Sequence, residues 1–167
     1  MSSITKLENG SKTATANDFV GTWQLADYAF LYEDGTLERP WGENVVGFLL
    51  YSPEGYMSGN LSPAGRRQGV ERTEAKKARC RRDYIAYAGP YSVEGDAVVH
   101  HVEVSLFQNW LGTVQLRHYK LEGDRLILRT PPIFSGGCVV VVQLTWRRIG
   151  SGSCQKNDDG GESTWPL

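Results

Sequence analysis

The chain has 167 residues, 40% of them hydrophobic and 11% aromatic, with five Trp, eight Tyr and a formal charge of −1 at pH 7. That length supplies one hydrophobic core but not comfortably two, so a single domain is expected. The near-zero charge and the aromatic content exclude bulk attraction to nucleic acid and disorder throughout, and point to a small partner rather than a polyanion.

Residues 1–17 are polar and lack an apolar run of signal-peptide length, so they read as a flexible lead-in with no secretion signal. Residues 150–167, rich in Gly, Ser and Asp, read as a disordered tail, which leaves 18–149 as the folded unit. The three cysteines, Cys80, Cys138 and Cys154, are odd in number and far apart. That spacing suggests neither a disulfide framework nor a zinc site and fits a reducing, cytoplasmic setting. The longest apolar stretch, Cys138–Val142, has the length of a strand and falls far short of the ~20 residues of a membrane helix. A soluble protein without a membrane partner is expected.

Within 18–149, short β-branched and aromatic runs alternate with turn signals. In chain order the expected strands are Trp23–Leu31, Val46–Ser52, Tyr56–Asn60, Gly89–Val93, Ala97–Leu106, Gly112–Leu121, Arg125–Thr130 and Val139–Arg147. Asp34-Gly35, Pro53-Glu54-Gly55, Glu94-Gly95-Asp96 and Glu122-Gly123-Asp124 supply turns between them. Eight or nine strands joined mostly by tight turns form a meander, and closing it into a barrel removes the edges that invite aggregation. The fold class is therefore all-β, an antiparallel up-and-down barrel. One helix is expected to interrupt it at 71–87, where Thr73–Arg79 are good helix formers without Gly or Pro. From Arg66 to Arg82 eight cations face only Glu71 and Glu74. The plain reading is a solvated basic face, and the alternative is a surface for an anionic partner.

Strand alternation singles out candidate chemistry. Val98, His100, Val102, Val104 and Leu106 share one side of their strand, while His101, Glu103 and Ser105 share the other. In the next strand Val114 and Leu116 face one way and Gln115, Arg117 and Tyr119 the other. Two readings follow for His101, Glu103, Ser105, Gln115 and Arg117. They form a solvent-facing patch over an apolar interior, or they line the interior, where a His beside a Glu moves protons and an Arg holds an oxyanion. His100 and His101 point to opposite faces and cannot readily share one metal ion, so no metal is expected. His118 reads as a packing residue. Nucleotide, serine-hydrolase and zincin motifs are absent, and no cofactor is implied. Trp23, Trp41, Tyr56, Tyr84, Tyr87, Trp110 and Trp146 are candidates to line a cavity, although most of them should serve as core.

Gly21-Thr22-Trp23 opening the first strand, with Trp146-Arg147-Arg148 closing the last, resembles the lipocalin arrangement in which a late basic residue covers a first-strand Trp. A longer pattern accompanies it, with Pro40, Gly42, Gly47, Tyr51, Gly55-Tyr56-Met57-Ser58, Tyr87-Ala88-Gly89-Pro90-Tyr91, His100–Ser105, Asn109-Trp110, Gly112 and Gln115-Leu116-Arg117. Together these residues resemble the lipocalin-like domain of bacterial and fungal proteins, many encoded among secondary-metabolite genes. The resemblance implies a calycin-like barrel over Phe19–Arg148, related to barrels that act as cofactor-free isomerases, cyclases or dehydratases. It also favours the inward reading of the polar patch.

The resulting expectation is an enzyme that rearranges a polyketide- or terpenoid-like intermediate by proton transfer. His101 or Glu103 would be acid or base, and Arg117 would stabilise an enolate-like oxygen. Tyr56, Tyr84, Tyr87, Ser105, Trp110 and Gln115 would bind substrate. The alternative is a non-catalytic carrier of a hydrophobic metabolite. The sequence leaves a homodimer open.

Overall fold

A computed structural model describes residue 7 and residues 13–65, 83–135 and 137–150. Eight long strands form the barrel: β1 (Gly21–Tyr32), β3 (Val45–Tyr51), β4 (Tyr56–Pro63), β5 (Ile85–Glu94), β6 (Ala97–His101), β8 (Val114–Glu122), β9 (Arg125–Arg129) and β11 (Cys138–Arg148). Three short ones, β2 (Leu37–Glu38), β7 (Val104–Ser105) and β10 (Ile133–Ser135), flank them. All the ladders are antiparallel, and the ring runs β1-β3-β4-β5-β6-β8-β9-β11 before β11 pairs back onto β1. Closure uses nine residue pairs, from Trp23 opposite Arg148 to Tyr32 opposite Val140. The barrel therefore has no free edge within its ring. Gly95 and Gly123, with φ of 61° and 58°, occupy the left-handed region that their tight hairpins demand.

Each of the eight expected strands is present, with shifted ends. The Ala97–Leu106 run is broken at Val102-Glu103 into β6 and β7. Of the expected helix, residues 71–82 lie outside the described residues, and 85–87 belong to β5. The basic segment 66–82 and the tail beyond Gly150 also lie outside them. The α-helix that is described is α1 (Ala16–Phe19), whose N-cap Thr15 and Asp18 form a capping box, and a single 3-10 turn spans Gln108–Trp110. Among the described residues, no helix is long and apolar enough to cross a membrane.

One end of the barrel is filled by aromatics. Phe19, carried in by α1, packs edge-on against Tyr119 and Tyr51 with centroids 5.0 and 5.5 Å apart. Trp23 and Trp146 lie fully buried beside them, each large side chain worth roughly 1.5–3 kcal/mol of burial. Ala14 N–H donates to the Tyr119 hydroxyl at 3.0 Å, which ties the chain to the barrel ahead of the boundary expected at residue 18. Arg148 closes this end. Its guanidinium lies 4.1 Å from the centroid of the Trp23 ring and donates to the carbonyls of Val20 and Asp18, both at 2.6 Å. With the bottom plugged, open space remains toward the other end.

Candidate functional site

A cavity of about 360 Å³ occupies that space. Most of its wall is aliphatic or aromatic: Leu49, Leu61, Ile85, Leu128, Val142 and Leu144, with Tyr28, Tyr87, Trp110 and Trp146. Gln115, Arg117 and Thr130 add polarity. A small set of polar groups in an apolar wall is the usual make-up of a small-molecule site.

Tyr28 reaches the cavity because β1 carries a bulge. Its register against β11 shifts between Leu25 and Asp27, so inward positions change from Trp23 and Leu25 to Tyr28 and Phe30. Trp41 stacks on Tyr28 at 4.3 Å, and burial pushes the Tyr28 hydroxyl up to about 12, with the Arg117 charge pulling the other way.

Arg117 comes from β8, where it lies opposite Val98 of β6. The residue is 7% exposed. Nη1 donates to the Leu116 carbonyl at 2.8 Å and Nη2 to Gln115 Oε1 at 3.1 Å, while the buried Nε has no partner. Behind this wall His100 bridges two tyrosines. Its Nε2 is 2.8 Å from the Tyr51 hydroxyl and its Nδ1 2.9 Å from the Tyr87 hydroxyl. Burial, reinforced by the Arg117 charge, holds His100 well below its ordinary 6.5, so the ring is neutral at physiological pH. A neutral imidazole has one donor and one acceptor, so one tyrosine donates to it and the other accepts. Burial also raises both tyrosine hydroxyls above 10.0, and the Arg117 charge opposes that shift.

The expected site residues divide. Arg117, Gln115, Tyr87 and Trp110 line the cavity. His101 and Glu103 are exposed, which corrects the expectation that they point into the barrel with Arg117. The reason is register. His100 pairs with Gln115 and His101 with Val114, so it is His100 that shares a face with the inward polar residues of β8. At Val102-Glu103 the chain leaves β6, and Glu103 N–H bonds the Ala88 carbonyl at 2.9 Å while its side chain stays outside.

Ser105 is absorbed in a local turn, where its hydroxyl accepts from Phe107 N–H at 3.0 Å. Tyr56 opens β4 and is 54% exposed. The Tyr84 hydroxyl donates to Asn60 Oδ1 at 3.4 Å, and the residue does not line the cavity. Sequence reasoning passed over Tyr28 and His100. The bulge at Ala26 leaves no periodic signal, and His100 sits among valines as a packing residue would.

The chain is 36% identical over 86 residues to the 4′-hydroxy-3′-methoxypropiophenone carrier protein ppsC of Aspergillus oryzae, spanning 46% of this chain and 78% of that one. A lipocalin-like protein from Bacteroides uniformis is 18% identical with a TM-score of 0.44, covering 79% of this chain and 99% of its own. The lipocalin-like domain matches residues 20–149, nearly all of the barrel, and the chain belongs to that family.

Proposed function

We propose that this protein is a carrier, which holds a small, largely apolar molecule inside the barrel and releases it chemically unchanged. The observation that supports this reading most is the composition of the cavity. Its wall is aliphatic and aromatic around one cation, and His101 and Glu103, the residues a proton-transfer mechanism would use, are outside it. The remaining buried imidazole, His100, is neutral, bonded at both nitrogens by tyrosines and not part of the cavity wall. An isomerase or cyclase needs a base that touches its substrate, so the geometry favours the carrier over rearrangement of a polyketide- or terpenoid-like intermediate. The partial relative named as a carrier of an aryl ketone supports the same choice and suggests hydrophobic secondary metabolites of that type as cargo. In this reading Tyr87, Trp110, Gln115 and Arg117 contact the cargo.

The test is to titrate the protein with an aryl alkyl ketone while following Trp fluorescence, since Trp110 and Trp146 border the cavity. The complex is then incubated and the ketone extracted for mass spectrometry and NMR. Saturable binding with unchanged ketone supports the carrier. A new product formed at a rate above that of the buffer control overturns it.

A further inference from the structure

The cavity wall holds a positive charge that the protein leaves uncompensated. Arg117 is more than nine-tenths buried, and among the described residues no carboxylate pairs with it. The titratable groups on which its charge acts are Tyr28, Tyr51, Tyr87 and His100, all neutral at physiological pH. A guanidinium keeps its charge in proteins and offers five N–H donors. Here two of them take a neighbouring backbone carbonyl and an amide oxygen, the guanidinium also hydrogen-bonds the neutral Tyr87 hydroxyl, and Nε takes nothing. A second residue of the wall, Trp146, also has an indole N–H without a partner. The wall thus has donors in surplus and a cation without a counter-ion.

An isolated buried charge is costly, and natural structures tolerate one where something else neutralises it. Building on the carrier reading, we propose that the cavity selects molecules carrying an oxyanion on an apolar skeleton, a phenolate, enolate or carboxylate, and that Arg117 is the counter-ion. The desolvation of Arg117 is already incurred when the barrel folds. An incoming anion therefore gains the attraction while meeting only its own desolvation, whereas a neutral ligand of the same shape gains a hydrogen bond and leaves the charge in place. The aliphatic and aromatic remainder of the wall fits the skeleton and not a second charge.

The probes are 2-naphthoate and methyl 2-naphthoate, matched in rings and differing in charge, titrated by calorimetry at pH 7 into the full chain and into Arg117→Met. The expected result is 2-naphthoate binding at least about tenfold more tightly than the ester to the wild type. In Arg117→Met that preference should vanish, with 2-naphthoate losing far more affinity than the ester, which loses only a hydrogen bond. Arg117→Gln, which keeps polarity without charge, should behave like Arg117→Met and serves if the methionine variant fails to fold. Equal or tighter ester binding to the wild type would overturn the oxyanion proposal and leave the carrier reading standing. An anion preference that survives both substitutions would overturn the role of Arg117. Binding of neither probe would remove the cavity reading and this inference together.

Discussion

The Tyr51 hydroxyl stands 2.8 Å from His100 Nε2, in a part of the barrel that neither water nor the cavity reaches. It is one half of a bridge whose other half is Tyr87, and the bridge fixes the imidazole against the wall that carries Arg117. Tyr51→Phe leaves one imidazole nitrogen buried without a partner. The expected cost is roughly 1–3 kcal/mol of unfolding free energy, read from urea denaturation. No loss would mean that Nε2 finds another partner in solution.

The same histidine makes stability depend on pH. Its folded-state pKa is depressed below the ordinary 6.5 because burial disfavours the charged ring. The unfolded chain therefore binds a proton that the folded chain resists. The neutral-state advantage is fully present above pH 6.5 and is lost as pH falls, at up to about 1.4 kcal/mol per pH unit until the folded pKa is reached. Between pH 6.5 and about 5, above the range of ordinary carboxylates, thermal melts of the wild type should fall more steeply than those of His100→Gln. Parallel curves would assign the acid sensitivity elsewhere.

Gly89 marks the place where β5 passes from β6 to β7. A Cβ there would collide with the carbonyl oxygen of His101 and sit 3.0 Å from Glu103 N. These are backbone atoms and cannot swing aside, so Gly89→Ala should destabilise by more than the ~1 kcal/mol typical of a point mutation. A circular-dichroism melt within a degree or two of wild type would show that the break at Val102-Glu103 is more pliable than its geometry implies.

His101→Ala and Glu103→Gln touch neither the core nor the cavity. Each should change stability by no more than about 0.5 kcal/mol and leave affinity for an aryl ketone unaltered. A tenfold loss of affinity in either variant would return these residues to the binding site.

Arg148→Ala removes a cation stacked on Trp23 together with two hydrogen bonds to backbone carbonyls that close the plugged end. Charge-assisted bonds of this kind and the stacking together suggest a loss of roughly 2–4 kcal/mol, measured as a drop in the urea midpoint. Arg148→Lys should recover only part of it, because an ammonium cannot stack flat and donate along two directions at once.

The eight strand runs and their turns were legible because alternation and turn residues are local properties, and closure followed because a meander of that length must dispose of its edges. The pairing of Trp23 with a late arginine was legible in the residues of the two end strands, although which of Arg147 and Arg148 performs it depends on the register of β1 against β11. The site was legible in part. The alternation of β8 separated Gln115 and Arg117 from Val114 and Leu116, and the alternation of β6 separated His100 from His101.

Alternation within a strand cannot say which of its two faces is inside when both carry polar residues. That depends on the register between strands, where a slip of one residue exchanges the faces. Matching like with like would set His101 and Glu103 beside Arg117. The ladder instead sets His100 opposite Gln115, so β6 presents its valine-rich face to the interior while β8 presents its polar one. The sequence by itself determined the strands, their turns and the all-β class, since each depends on residues close along the chain. Tertiary structure alone decided that Arg117 is enclosed without a carboxylate, that Tyr28 is turned inward by a bulge, and that His101 and Glu103 face out. Each of those outcomes depends on contacts between strands distant in sequence.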